Sequence, residues 1–132
     1  MANGPEKQIE DVIKEDLDAC GAYYLKNFAS PNTPKGHPDI TAVVPKNRGK
    51  LIAIEVKKPV GGVPSEIQIR RLVKIAKNGG RALITADPRT VEYLLGNDDI
   101  EVTKIKIKTA LENMEKIWTK RDKSVDIIEI IK

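Results

Sequence analysis

Apolar residues near the start of the chain recur at helical spacing: Ile9, Val12, Ile13, Leu17 and Cys20. The spacing predicts an amphipathic helix over residues 7–20, stopped by Gly21, and then the period changes. Residues 22–26, with two tyrosines and a leucine, read as a short strand leading into a loop that carries Pro31, Pro34 and Gly36. That loop delivers Asp39 to a strand over 40–44. The polar connection over 45–50 joins this strand to a second over 51–57 and is short enough to make the two antiparallel neighbours. After a Gly/Pro-rich segment, Ile69, Leu72 and Ile75 mark a helix from 65 to about 78, ended by Gly79 and Gly80. Residues 81–86 form a buried-strand pattern, and strand, helix, strand is the crossover that lays parallel strands side by side. Asp87-Pro88 predicts an N-cap and first-turn proline for a short helix through Val91, Leu94 and Leu95 to Gly96. Beyond Asn97, Ile100 and Val102 alternate as in a strand, and Ile107, Ala110, Leu111, Met114, Ile117 and Trp118 recur as on a helix. The apolar tail over 125–131 is too short for periodicity to choose between strand and helix.

These elements predict one α/β domain over 1–132, a central mixed β-sheet flanked by helices on both faces. With 40% apolar and 32% charged residues the chain is that of a folded globular protein, not a disordered one. No apolar run approaches the roughly 18–20 residues needed to span a bilayer, and the first residues lack a signal-peptide core. The expectation is a protein that stays in the cytoplasm and makes no membrane contact. Cys20 is the single cysteine, which excludes an intramolecular disulfide and suits a small apolar helix position. The net charge of +4 is uneven: residues 1–44 hold 4 basic and 7 acidic side chains, leaving 19 basic and 12 acidic for 45–132. Such a balance fits a polyanionic partner. There is no Walker-type glycine loop, no Cys/His zinc cluster and no Ser/His/Asp set, so no small-molecule cofactor is expected. The lone histidine, His37, lies in a Gly-x-Pro turn, where packing or hydrogen bonding is the expected role.

The chemistry gathers at the ends of the two central strands. In an extended strand Leu51, Ala53, Glu55 and Lys57 share one face, and pairing across the 45–50 turn brings Asp39 beside Glu55. Two carboxylates that close repel unless a cation intervenes. Oxygen ligands suit magnesium, which accepts one or two protein carboxylates and fills its other positions with water and phosphate; manganese is the expected substitute. Lys57 is then placed to orient or deprotonate an attacking water, or to stabilise charge in a phosphoryl transition state. Glu10 falls at the edge of the first helix's apolar stripe, where a carboxylate can reach the same site, with Glu6 and Asp16 as competitors. Ser65-x-x-Gln68 is a capping-box pattern, yet Gln68 also projects onto the stripe of Ile69, Leu72 and Ile75, from which its amide could order a water or a phosphate; the two roles are compatible. Lys26, Lys35, Lys58, Arg70 and Arg71 are candidate phosphate contacts or simply solvated charge.

The ordered pieces Gln8-Ile9-Glu10, Gly36-His37-Pro38-Asp39, Glu55-Val56-Lys57-Lys58 and Ser65-Glu66-Ile67-Gln68 resemble the VRR-NUC (virus-type replication-repair nuclease) family within the PD-(D/E)XK nuclease superfamily. The match covers Gln8 to about Thr85; residues 97–132 form an extension it does not reach. The resemblance implies a restriction-endonuclease-like core, magnesium-dependent hydrolysis of DNA phosphodiester bonds, an active-site glutamine at Gln68, and the Val56 main-chain carbonyl as a further metal ligand beside Asp39 and Glu55. It also implies branched DNA such as four-way junctions as substrate, a homodimer that cuts two strands, and a phage or viral role in replication, recombination or repair, in the host cytoplasm. The competing expectations are a non-catalytic DNA-binding module of the same fold, and a nuclease acting on flaps, linear ends or RNA.

Overall fold

The computed structural model describes residues 4–28, 35–122 and 124–132, so Pro31 and Pro34 lie outside the described residues. In chain order the elements are α1 (Pro5–Ala19), β1 (Tyr23–Lys26), β2 (Ile40–Val43), a 3-10 turn (Pro45–Asn47), β3 (Ile52–Val56), α2 (Glu66–Lys77), β4 (Arg81–Thr85), α3 (Thr90–Leu94), β5 (Thr103–Lys106), α4 (Ile107–Lys120) and β6 (Ile127–Ile131). Six strands make one sheet in the order β1-β2-β3-β4-β6-β5. β1, β2 and β3 form an antiparallel meander, β3 and β4 run parallel across the α2 crossover, and β6 is antiparallel to β4 and parallel to β5. This is the mixed sheet the sequence predicts.

All five residues of β3 are buried, at odd and even positions alike, so both faces of the sheet centre are covered. The helices pack as two pairs, α1 with α3 and α2 with α4. Ile13 and Leu17 from α1 and Leu72 from α2 are fully buried with Ile40, Ile52, Ile54, Leu83 and Ile84 of the sheet. No helix among the described residues is long and apolar enough to cross a membrane.

Two boundaries differ from the sequence expectation, and one segment that the sequence leaves open is decided by the sheet. Asp87 does not cap a helix: its carboxylate accepts the Arg89 N–H at 2.8 Å and pairs with the Arg89 guanidinium, which holds 87–89 as a turn, and α3 starts only at Thr90. The strand expected around Ile100 and Val102 forms at Thr103–Lys106, because that segment alone finds a partner in β6. The tail, ambiguous by period, becomes β6, which enters the sheet between β4 and β5 with Ile127 and Ile128 fully buried.

The late segments also hold the middle of the chain. Glu129 on β6 takes both guanidinium arms of Arg81 at 2.9 Å and the Tyr93 hydroxyl, while Arg81 Nη1 donates to Asn47. Burial would raise the Glu129 pKa, but these hydrogen bonds outweigh it and hold the carboxyl below its ordinary range. From α4, the Trp118 indole N–H donates to the Gly62 carbonyl. Arg121, stacked 3.7 Å from the Trp118 ring centroid, donates to the Pro59 carbonyl at 2.8 Å. The loop between β3 and α2 is thus tied to α4 at two points. Replacing Ile128 by Ala removes a fully buried side chain from β6 and is expected to cost about 2–5 kcal/mol in a urea unfolding titration, with the slope unchanged.

Candidate active site

The β2–β3 register pairs Ile40 with Ile54, which sets Asp39 against Glu55 one step further along. Asp39 is then locked by the strand it faces: its Oδ2 accepts the Val56 backbone N–H at 2.8 Å, where a continuing β2 would have offered a carbonyl. Its Asn27 neighbour closes the other side, donating to the Pro38 carbonyl at 2.8 Å and to the Asp39 carbonyl at 2.7 Å through side chain and backbone respectively. The segment before Asp39 rests on α2. Gly36 adopts φ 77°, and a Cβ there would lie 2.8 Å from the Ile67 backbone, so only glycine permits both the turn and the close approach. Arg71 fastens the same segment through Nε to the Lys35 carbonyl at 3.1 Å.

Glu55 occupies the buried centre of the site, its side chain 2% exposed against 24% for Asp39 and 14% for Lys57. Its Oε2 receives Lys57 Nζ at 3.3 Å and Gln68 Nε2 at 2.9 Å. Its Oε1 is buried without a hydrogen-bond partner, the one such side-chain atom among the described residues. Burial, reinforced by the Asp39 charge and only partly offset by Lys57, pushes the Glu55 pKa up to about 8.

Gln68 fills both roles that its position suggests. Ser65 Oγ accepts the Gln68 backbone N–H at 3.2 Å, and Gln68 Oε1 accepts the Ser65 N–H at 2.9 Å, a complete capping box at the start of α2. Because that backbone donor can meet only an oxygen, it fixes which end of the amide is which and directs the NH2 group at Glu55. The N-cap therefore aims the side chain.

From α1, Glu10 is buried and reaches the site through Lys26, whose ammonium pairs with Glu10 Oε1 and lies 3.6 Å from Asp39 Oδ1. Lys26 is turned into the acidic cluster and not outward toward a phosphate. Glu6, one turn before Glu10, also faces the cluster: burial, with Asp39 and Glu10, raises its pKa against the opposing charges of Lys57 and Lys26. Asp16 lies six residues along α1 from Glu10, about 9 Å at 1.5 Å per residue, beyond this group. Of the other candidate phosphate contacts, Lys35 and Lys58 are exposed, and Arg70 is exposed and paired with Glu66 at 2.6 Å. The cation that sequence reasoning underweighted is Lys26; its place in β1, with Glu10 across from it, becomes visible only when β1 pairs with β2.

Among the described residues no group of three or more His, Cys, Asp or Glu is gathered to hold an ion alone. Asp39 and Glu55 offer two carboxylates, one with an unpartnered buried oxygen, beside the end of β3 where the Val56 carbonyl lies. That set suits a hard divalent ion that keeps water and substrate oxygens in its remaining positions.

Sheet order and crossover give the chain a restriction-endonuclease-like α/β fold. A solved structure described as a VRR_NUC domain is similar to this chain, with 24% sequence identity and a TM-score of 0.59. The similarity covers 73% of this chain and 99% of that one, so part of this chain has no counterpart there, and it agrees with the resemblance carried by the four sequence motifs. No protein-family model matches the sequence, and no curated protein matches it.

In the chelated protein the folded state keeps a proton on Glu55 that the unfolded chain releases near pH 4.5. Stability should therefore fall as pH rises from about 4.5 to about 8 and level off above, because the folded state binds more protons in that window. Thermal melts in EDTA check this: the decline should be marked in the wild type and much reduced in Glu55→Gln, where the raised Glu6 carboxyl still contributes in the same direction.

Proposed function

We propose that the protein is a nuclease that hydrolyses DNA phosphodiester bonds with magnesium, manganese serving in its place. The observation that carries the reading is the meeting of Asp39, Lys57 and Gln68 at the buried Glu55 carboxylate, whose Oε2 takes Lys57 and Gln68 while its Oε1 is left unpartnered. Asp39 and Glu55, with the Val56 main-chain carbonyl, would hold the ion. When bound, the ion supplies positive charge against the phosphate and makes a water easier to deprotonate.

The protein's own groups supply the rest. Lys57 is held at the open rim by Glu55, and its ammonium is available to a phosphate oxygen or to the charge that builds in the transition state. Gln68, aimed by the capping box, fixes the Glu55 carboxylate and leaves its other oxygen free. Lys26 carries positive charge between Glu10 and Asp39, which keeps both side chains in place without occupying Glu55. Lys35 and Lys58 are exposed near the site and would meet the substrate backbone. One such centre cuts one strand, so a symmetric pair of chains acting on branched DNA, four-way junctions above all, is the form of activity proposed, in phage or viral replication, recombination or repair within the host cytoplasm.

The test is a substrate panel of linear, flap and four-way DNA with magnesium or manganese. Wild-type protein should cut, with a preference among the branched forms. Asp39→Ala and Glu55→Ala should lose cleavage by at least about a thousandfold while retaining DNA affinity within a few-fold, since affinity comes mainly from lysine and arginine contacts to phosphate. Cleavage by Glu55→Ala at the wild-type rate would remove the site assignment; binding without cutting by the wild type would make the chain an accessory module. DNA affinity should also fall steeply between 50 and 200 mM salt in a fluorescence-anisotropy titration, as expected if a handful of phosphates are contacted. A flat response would mean that nucleic acid is not the partner.

A further inference from the structure

A cavity of about 570 Å3 opens beside the acidic centre and is not used by any step above. Its position follows from the register. Thr41 pairs with Ala53, and alternation along β3 puts Leu51, Ala53 and Glu55 on one face, so Thr41 and Leu51 in the cavity lie on the Glu55 side of the sheet. On α2, Gln68, Arg71 and Ile75 recur at three- and four-residue spacing and stack along one side of the helix. Gln68 meets Glu55, and Arg71 and Ile75 line the cavity. The groove between α2 and the β2–β3 hairpin therefore runs from the carboxylates to this cavity. The two share a wall, since His37 and Pro38 border the cavity and Asp39 follows directly.

The lining has two characters. Thr41, Leu51 and Ile75 make a largely aliphatic floor, and Leu51, with 44% of its surface exposed, is left uncovered there. Lys50, Arg71 and Lys74 stand on the rim, and no carboxylate lines the cavity. Lys50 and Lys74 are exposed and have no acidic partner within salt-bridge distance among the described residues. An apolar floor under an unopposed cationic rim is complementary to a flat, apolar-faced group that carries negative charge at one end. Its volume lies in the range of small-ligand sites.

We infer that this cavity receives one unpaired nucleotide of the DNA strand adjoining the phosphate at Asp39 and Glu55, its base over Leu51 and Ile75 and its phosphate against Lys50, Arg71 and Lys74. The inference rests on the nuclease reading and adds a requirement to it: the substrate must present a base free of its partner next to the cut. Branch points, bulges and flaps do so at little cost, whereas intact duplex must first lose a base pair and its stacking. Selection of DNA by structure and not by sequence then follows from a pocket that every base can enter, because each has an apolar face.

The experiment uses short duplexes carrying 2-aminopurine, whose emission is quenched by base stacking, either unpaired in a one-nucleotide bulge or paired in continuous duplex. It is run in EDTA so that nothing is cut, with binding followed in parallel by anisotropy. On saturation with wild-type protein the bulged probe should brighten several-fold and the paired probe should not. The double variant Lys50→Glu, Lys74→Glu, at two exposed positions outside the acidic centre, should lose most of the brightening at protein concentrations that saturate the probe. Wild-type binding without brightening, or brightening unchanged in the double variant, would overturn the inference. Suppression of the signal by inorganic phosphate as effectively as by a deoxynucleoside monophosphate would reduce the cavity to an anion site and overturn it as well. Failure here is distinguishable from failure of the nuclease reading: a protein that cuts with magnesium but never brightens the probe keeps the enzyme and loses the pocket, and one that brightens it but never cuts loses the enzyme.

Discussion

Asp39 and Glu55 are carboxylates that solvation and mutual repulsion would separate, yet the fold holds them in one corner. The holding force is main-chain hydrogen bonding. The Ile40–Ile54 pairing sets the register, and the Val56 N–H seizes one Asp39 oxygen. A slip of one residue would send Glu55 and Lys57 to the opposite face and put Ile54 in their place, at the expense of the most buried strand in the molecule. Core packing therefore sustains an electrostatic conflict that the site cannot relieve internally. Lys57, Lys26 and Gln68 temper it, but Glu55 still has a pKa of about 8 and a bare oxygen. A site so arranged draws either a proton or a cation.

Much of this was legible in the residues because alternation and turn chemistry are local. Two apolar runs separated by a short polar connection prescribe a hairpin, and period two along 51–57 prescribes that Glu55 and Lys57 share a face. The crossover to a parallel β4 followed from the strand, helix, strand order. What resisted was whatever depended on distant partners. The tail's identity as β6 is decided by β4 and β5, not by its own period, and the Lys26 pairings with Glu10 and Asp39 exist only once α1, β1 and β2 are assembled. Asp87 misled for a different reason: its carboxylate is satisfied two residues on, which makes a turn cheaper than a helix start. Gln68 shows that a local motif and a long-range contact can coincide, the cap setting the orientation that the contact uses.

The extension beyond residue 97 is structural support for the same corner. Trp118 and Arg121 grip the loop that connects Lys57 to Ser65, so the distance between β3 and the start of α2 is governed from α4. Glu129 joins Arg81 and Tyr93 at the other end of the sheet, and Arg81 carries the link on to Asn47. Both arrangements leave the open side of the site, at Asp39 and Lys57, free of these contacts.

The place of β6 in the sheet has a consequence for biosynthesis. β3 and β4 can pair as soon as α2 has been made, but Thr85 waits for Ile127 before its other edge is closed. Until that strand emerges from the ribosome, β4 presents an isoleucine- and leucine-bearing edge with unpaired amides, the kind of surface on which nascent chains stick to one another. The acidic corner is seated on β3, on the other side of β4 from that edge, so its residues can gather while the edge is still open, and the two stay separated by the width of one strand.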